Sequence, residues 1–189
     1  MDYISLDIET APLKIEDDIV IEYLIKKKFV MGTHPLFSKI ITIGIKENEK
    51  EPVFFRGDKE HSVLTGFWKR IKLDVPPKIV TFNGYNFDIP FLLVRSKVNN
   101  IEPTLNINTN KWKMDFSNHF DCMLAFSEID KFSWVSLDII CRLMGIPVPE
   151  DRIKRSQVIE CYQKKDWEPI LKRNKQDLAL VESLYEKIR

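Results

Sequence analysis

The chain has 189 residues, 44% hydrophobic and 11% aromatic, which suffices for one full core and requires no second domain. Cys122, Cys141 and Cys161 are odd in number, far apart and without a CxxC pair, so they suggest neither a disulfide framework nor a zinc site, and no apolar run approaches the ~18 residues of a membrane span. The formal net charge of +1 hides an asymmetry: residues 1–25 carry seven acidic side chains against one lysine, whereas residues 152–175 carry eight Lys or Arg against Glu160, Asp166 and Glu168. The basic end suits a polyanionic substrate approaching an acidic site, or is simply a solvated helical face. With an acidic N-terminus that enters a strand directly, the expectation is a soluble, cytoplasmic protein in a reducing compartment with no membrane partner.

In chain order, Tyr3 to Asp7, Lys39 to Ile45 and Val53 to Arg56 read as strands of an antiparallel meander, from their β-branched content and spacing. Residues 11–38 are longer than a hairpin needs. Asp17 to Phe29 has helical character there, and the excursion suits a rim or lid. Asp58 to Lys72 places Val63, Leu64, Phe67, Trp68 and Ile71 at helical spacing, and Lys78 to Phe82 returns as a short strand after Pro76-Pro77. Ile89 to Val98 reads as a helix with Pro90 in its first turn, and Asn99 to Asn110 as a surface loop. Ser136 caps a helix ending at Gly145, and Trp167 to Ile188 is a long terminal helix.

Three places carry candidate chemistry. In Ser5-Leu6-Asp7-Ile8-Glu9-Thr10, Asp7 and Glu9 stand two apart on a strand and so share one face, where an unpaired carboxylate pair costs several kcal/mol unless a cation such as Mg²⁺ or Mn²⁺ joins it. In Thr81-Phe82-Asn83-Gly84-Tyr85-Asn86-Phe87-Asp88-Ile89-Pro90, a strand ends, Gly84 permits the turn, and Asp88 stands at the mouth of a helix, as its N-cap or as a ligand. Asp177 lies with Ile170, Asn174, Val181, Leu184 and Ile188 on the inward seam of the terminal helix. Its partner is Arg173 four residues back, or a metal shared with Asp7 and Glu9.

These motifs, in this order and over almost the whole chain, resemble the DEDD superfamily of 3′-5′ exonucleases, and most closely the proofreading domain of family B DNA polymerases and its stand-alone relatives. His119-Phe120-Asp121 is similar to the acidic segment before Ser136-Leu137-Asp138-Ile139-Ile140. The resemblance implies an α/β ribonuclease H-like fold, a mixed central sheet flanked by helices, as one domain over residues 1–189. It also implies phosphodiester hydrolysis by two Mg²⁺ or Mn²⁺ ions ~3.5 to 4 Å apart. On that template Asp7 bridges both ions, Glu9 and Asp177 complete the first, and Asp88 supports the second. Nucleic acid, as a single-stranded 3′ end, is the implied partner. Thr10 and Asn83 match positions near the terminal nucleotide, and Tyr85 or Phe87 stacks on a base or sugar, or belongs to the core.

One departure from the family bears on mechanism. A tyrosine four residues before the last aspartate, or a histidine five before, normally orients the attacking water; here Arg173 and Lys172 stand there. The metals suffice for a slower enzyme, or Arg173 clamps the substrate phosphate, or hydrolysis is lost and binding kept. The alternatives to an exonuclease are therefore a weakly catalytic nucleic-acid-binding component of a replication or repair assembly, and a structure-specific endonuclease. His34, His61 and His119 read as incidental or structural, the cysteines as buried apolar residues, and Trp112, Trp134 and Trp167 as base contacts or, more simply, packing.

Overall fold

In a computed structural model, residues 3–30, 32–48, 50–71, 77–110, 112–113, 118–127 and 135–189 are described. Trp134 and the Lys72 end of the second expected helix lie outside them. The elements are β1 (Tyr3–Pro12), α1 (Asp18–Lys27), β2 (Ser38–Glu47), β3 (Val53–Arg56), α2 (Glu60–Arg70), β4 (Lys78–Thr81), α3 (Asp88–Val98), β5 (His119–Asp121), α4 (Leu124–Ser127), α5 (Leu137–Leu143), α6 (Arg155–Gln163) and α7 (Trp167–Ile188).

The strands form one sheet in the order β3-β2-β1-β4-β5. β1, β2 and β3 make the expected antiparallel meander, while β4 runs parallel to β1 and β5 parallel to β4. The architecture is thus an α/β ribonuclease H-like fold with a mixed sheet between helices. Alternation along β1 sorts its side chains. Ile4, Leu6 and Ile8 join Val63, Leu64, Phe67 and Trp68 of α2 and Ile89, Phe91 and Leu92 of α3 in one core. Tyr3, from the other set, packs with Val80, Leu180, Val181 and Leu184 beneath α7. Asp7 and Glu9 belong to that second set, so the strand pleat itself turns both carboxylates toward α7.

α7 lies unusually close to the sheet because Gly44, the cross-strand partner of Asp7, offers no side chain. A Cβ there would fall inside the van der Waals shell of Asn174 Oδ1 and lie 2.9 Å from Leu178 Cδ1. On the opposite face a buried carboxylate fastens the scaffold. Glu60 accepts from the Ile40 backbone N–H at 2.7 Å and from Arg95 Nε at 2.9 Å, and Arg95 also donates to the Pro35 carbonyl at 3.0 Å.

Several expectations shift. Asn99 to Asn110 has no regular structure, but it buries Leu105 and Ile107 in the α2/α3 core and is not merely a surface loop. Ser136 is the N-cap residue of α5, yet its side chain makes no capping bond. β5, α4 and α6 are too short or too polar to have been anticipated. Trp167 packs edge-on against Tyr162 with Arg56 over its ring, and Trp112 is exposed.

Gly44→Ala is expected to destabilise the protein by about 2 kcal/mol or more in urea unfolding, because the new methyl overpacks against Asn174 and Leu178. Asn174→Ala in the same chain should recover part of the loss.

Candidate active site

The neighbouring parallel strands β1 and β4 pair only over Tyr3–Ser5 and Lys78–Val80. Past that point the Ile8 backbone N–H is accepted by Asp88 Oδ1 at 3.1 Å, so a carboxylate from the first turn of α3 occupies the place where the neighbouring strand would be. The N-cap of α3 is Phe87, which makes no side-chain capping bond, and Asp88 is the first residue of the helix. A register shift in β1 between Glu9 and Thr10 marks the end of this segment, a bulge of the kind that re-aims side chains beside functional sites. From the other side α7 contributes Arg173, Asn174 and Asp177. One oxygen from each of Asp7, Glu9 and Asp177 lies within 4.8 Å of the others. Asp88 faces the same cleft, about 580 Å³ in volume, but stands outside that close triad.

Hard oxygens in this number and proximity fit a divalent cation. Cationic and amide donors contact the same acids. Arg173 donates from Nε to Glu9 Oε1 at 2.9 Å, sits with Nη2 3.4 Å from Asp177, and reaches the Ile153 carbonyl with Nη1. Arg152, its side chain 10% exposed, bridges Asp177 and Asp138, and its buried Nε has no partner among the described residues. Asn174 Nδ2 donates to the Asp7 carboxylate, while its buried Oδ1 has no partner among the described residues. Arg155 donates to the Gly32 carbonyl at 2.9 Å and to Thr10 Oγ1 at 3.3 Å, with its guanidinium 4.5 Å over the Phe87 ring. With Lys154, these arginines give the cleft a basic wall facing its acidic floor.

Burial dominates the titration of the acids. It raises Asp7 well above the ordinary carboxylate range, with repulsion from Asp177, Glu9 and Asp88 adding to it. Glu9 is pushed up to about 7 and Asp88 to about 8, again chiefly by burial, with Arg173 opposing the shift at Glu9 and the Ile8 N–H opposing it at Asp88. Asp177 is raised by burial against the pull of Arg173 and Arg152. A site that resists full ionisation in this way favours a partner of concentrated positive charge.

The other expected residues separate into two groups. Asn83 and Phe87 line the cleft. Thr10 is buried beside it, its hydroxyl donating to the Gly32 carbonyl at 2.5 Å. Tyr85 corrects the expectation of a substrate contact. Its ring is buried and stacked on His119 at 4.1 Å, and its hydroxyl donates to the His119 carbonyl at 3.0 Å while accepting from Asn108 Nδ2 at 2.7 Å. The turn containing Asn83 is shaped by Asp121, whose carboxylate accepts from the backbone N–H groups of Asn83, Tyr85 and Met123 at 2.7, 3.1 and 3.0 Å. The left-handed residue is Asn83, at φ 65°; Gly84 is needed instead because the Thr81 side chain packs onto it. Arg152, Arg155, Asn174 and Asp121 were not foreseen as site residues. The basic excess of residues 152–175 was the only sequence signal for the first two.

Comparison with known proteins agrees with this geometry. A family model described as "Predicted 3'-5' exonuclease related to the exonuclease domain of PolB" matches residues 33–186. The chain belongs to this family. The match begins after Asp7 and Glu9 and includes Asp88 and Asp177. Among curated proteins, the chain is 29% identical over 147 residues to the DNA polymerase epsilon catalytic subunit of Aspergillus fumigatus, covering 71% of this chain and 6% of that one. It is 26% identical over 133 residues to an uncharacterized protein of Methanocaldococcus jannaschii, covering 70% of this chain and 72% of that one. The chain therefore spans a small fraction of the polymerase's length. The family B DNA polymerase of Pyrobaculum calidifontis superimposes with a TM-score of 0.73 at 17% identity, over 98% of this chain and 24% of that one, a likeness of fold. Among the described residues no helix is long and apolar enough to cross a membrane.

The wall behind Tyr85 yields a prediction about pH. His119 Nδ1–H donates to the Asn108 carbonyl at 3.1 Å and Nε2 accepts from the Thr81 hydroxyl at 2.9 Å; burial lowers the ring to about 4, from 6.5 in the unfolded chain. The folded state therefore binds this proton less readily than the unfolded state. Its contribution is complete above pH 6.5 and is lost as pH falls toward 4. The wild type should lose up to about 3 kcal/mol more across that interval than His119→Gln, measured by urea unfolding at each pH.

Proposed function

We propose that this domain is a divalent-metal-dependent 3′-5′ exonuclease that shortens a single nucleic-acid strand by a two-metal mechanism. The observation that carries the reading is the meeting of Asp7, Glu9 and Asp177 oxygens within 4.8 Å, with Asp88 across the same cleft. Two ions, Mg²⁺ or Mn²⁺, would supply an activated water and neutralise the charge developing on the leaving 3′ oxygen. Asp7, Glu9 and Asp177 would hold one and Asp7 with Asp88 the other. Asp88 is positioned for this by the Ile8 N–H, and Asp7 by the Asn174 amide.

The remaining groups have roles that follow from charge and shape. Arg152, Lys154, Arg155 and Arg173 form the wall against which a phosphodiester backbone is held. Asn83 and Phe87 border the space for the terminal nucleotide, Phe87 with its face already covered by Arg155. Thr10 fixes the Gly32 carbonyl behind it. Among the described residues lining the cleft there is neither tyrosine nor histidine, so no side chain of that type orients the water. Arg173, at the place of the family tyrosine, reaches Glu9 and Asp177 and is poised to exchange those carboxylates for a substrate phosphate.

Two predictions test the reading. With Mn²⁺ present, a labelled single strand should shorten stepwise from its 3′ end, and Asp7→Ala should abolish the shortening. Cleavage of a circular single strand would indicate an endonuclease, and binding without degradation a binding module. Arg173→Ala should weaken strand binding and lower the slope of log affinity against log salt by about 1, since one phosphate contact is removed. An unchanged slope would assign Arg173 to ion pairing alone.

A further inference from the structure

Helix α1, in the excursion between β1 and β2, is built for a contact that the described residues do not supply. Every other helix of eight or more described residues buries at least one side chain, and α1 buries none. The helix only half-covers Val20 and Leu24. Ile19 and Tyr23 lie on one flank of that pair, with Tyr23 turned toward Phe29. On the other flank Ile21 is 36% and Ile25 72% exposed, although isoleucine in a ten-residue helix is normally spent on burial.

Charge identifies the occupant. Asp18, Ile21 and Ile25 follow one another at spacings of three and four along this flank, and Lys28, the left-handed C-cap residue just past the helix, ends it with a long side chain; all four are exposed. The stripe reads acid, apolar, apolar, base. Turned end for end about an axis near Tyr23, it complements itself: Ile21 meets the second copy's Ile25, and Asp18 meets the second copy's Lys28. Asp17, whose side chain accepts the Val20 N–H at 3.0 Å, already caps the helix, which leaves the Asp18 carboxylate available. An isologous contact of this kind closes on itself and forms a dimer rather than a filament.

We propose that α1 is a homodimerisation element, pairing antiparallel with α1 of a second copy through the Asp18–Ile21–Ile25–Lys28 stripe. A nucleic-acid strand would be drawn to Lys26 and Lys27 in the last turn but would meet Asp18 in the first turn unfavourably and leave Ile21 and Ile25 uncovered, whereas a second copy matches acid, apolar pair and base together. The contact is small for a protein interface, so a weak, concentration-dependent dimer is expected, with a Kd of roughly 10–1000 µM. It lies away from the acidic floor of the cleft, and nuclease action at dilute protein does not depend on it.

Sedimentation equilibrium of the full chain tests the proposal. The wild type should rise with concentration from the 22.3 kDa monomer toward twice that mass. Ile25→Asp should hold it at the monomer. Asp18→Lys alone sets base against base, and Lys28→Glu alone sets acid against acid, so each should weaken self-association about tenfold or more, while an equimolar mixture of the two should associate at least as tightly as the wild type. Circular dichroism of each variant confirms that the fold is retained. A wild type that stays monomeric up to about 1 mM overturns the proposal, as does a mixture that associates no better than its components.

Discussion

Three carboxylates drawn to within 4.8 Å of one another, out of bulk water, repel by about 3 kcal/mol per pair at an effective dielectric of about 20, and the surrounding structure is arranged around that repulsion. The pleat of β1 puts Asp7 and Glu9 on one face. The missing side chain at Gly44 lets α7 settle low enough for Asp177 to join them. The early end of the β1–β4 pairing frees the Ile8 N–H that fixes Asp88. None of these devices improves packing as such. Gly44 forgoes apolar contact and Asn174 leaves a buried oxygen without a partner among the described residues, concessions that make sense where a concentrated charge is meant to bind.

The cations show how the protein tolerates this arrangement. Arg173 and Arg152 lie against Glu9, Asp177 and Asp138, so the acids are partly neutralised by guanidinium groups anchored on α7 and on the segment before α6. Guanidinium charge is spread over a plane and suits phosphate as well as carboxylate. On the proposed reading, a cleft with an acidic floor and a basic wall would have an internal exchange available: divalent ions would take the carboxylates and the arginines would turn to the substrate backbone. Arg173 stands where the resembling family carries a tyrosine and is paired with Glu9 and Asp177; on the same reading it would trade orientation of a water for a grip on charge, slower hydrolysis with a firmer hold on the strand.

The sequence disclosed what depends on short-range pattern. Alternation in β1 put Asp7 and Glu9 on one face, helical periodicity put Asp177 on the inward seam of α7, and the meander β1-β2-β3 followed from β-branched runs. It was silent where distant segments meet. Arg152 and Arg155 sit in a charged run that reads equally as solvated surface, and only the fold carries them back over the cleft. Tyr85 reads equally as a stacking residue or as core, and the stack on His119 and two hydrogen bonds bury it. Asp121 organises the Asn83 turn through the backbone N–H groups of Asn83 and Tyr85, an arrangement that no local spacing encodes. β5 was too brief, at three residues, to announce itself.

The central claim is that these carboxylates exist to hold metal, and the most direct measurement is an anomalous difference map from a crystal soaked in Mn²⁺. The account predicts two peaks, one among Asp7, Glu9 and Asp177 and one between Asp7 and Asp88, with Arg152 and Arg173 moved off the acids. A map without Mn²⁺ at these residues, and with both arginines still seated on Glu9 and Asp177, would contradict it.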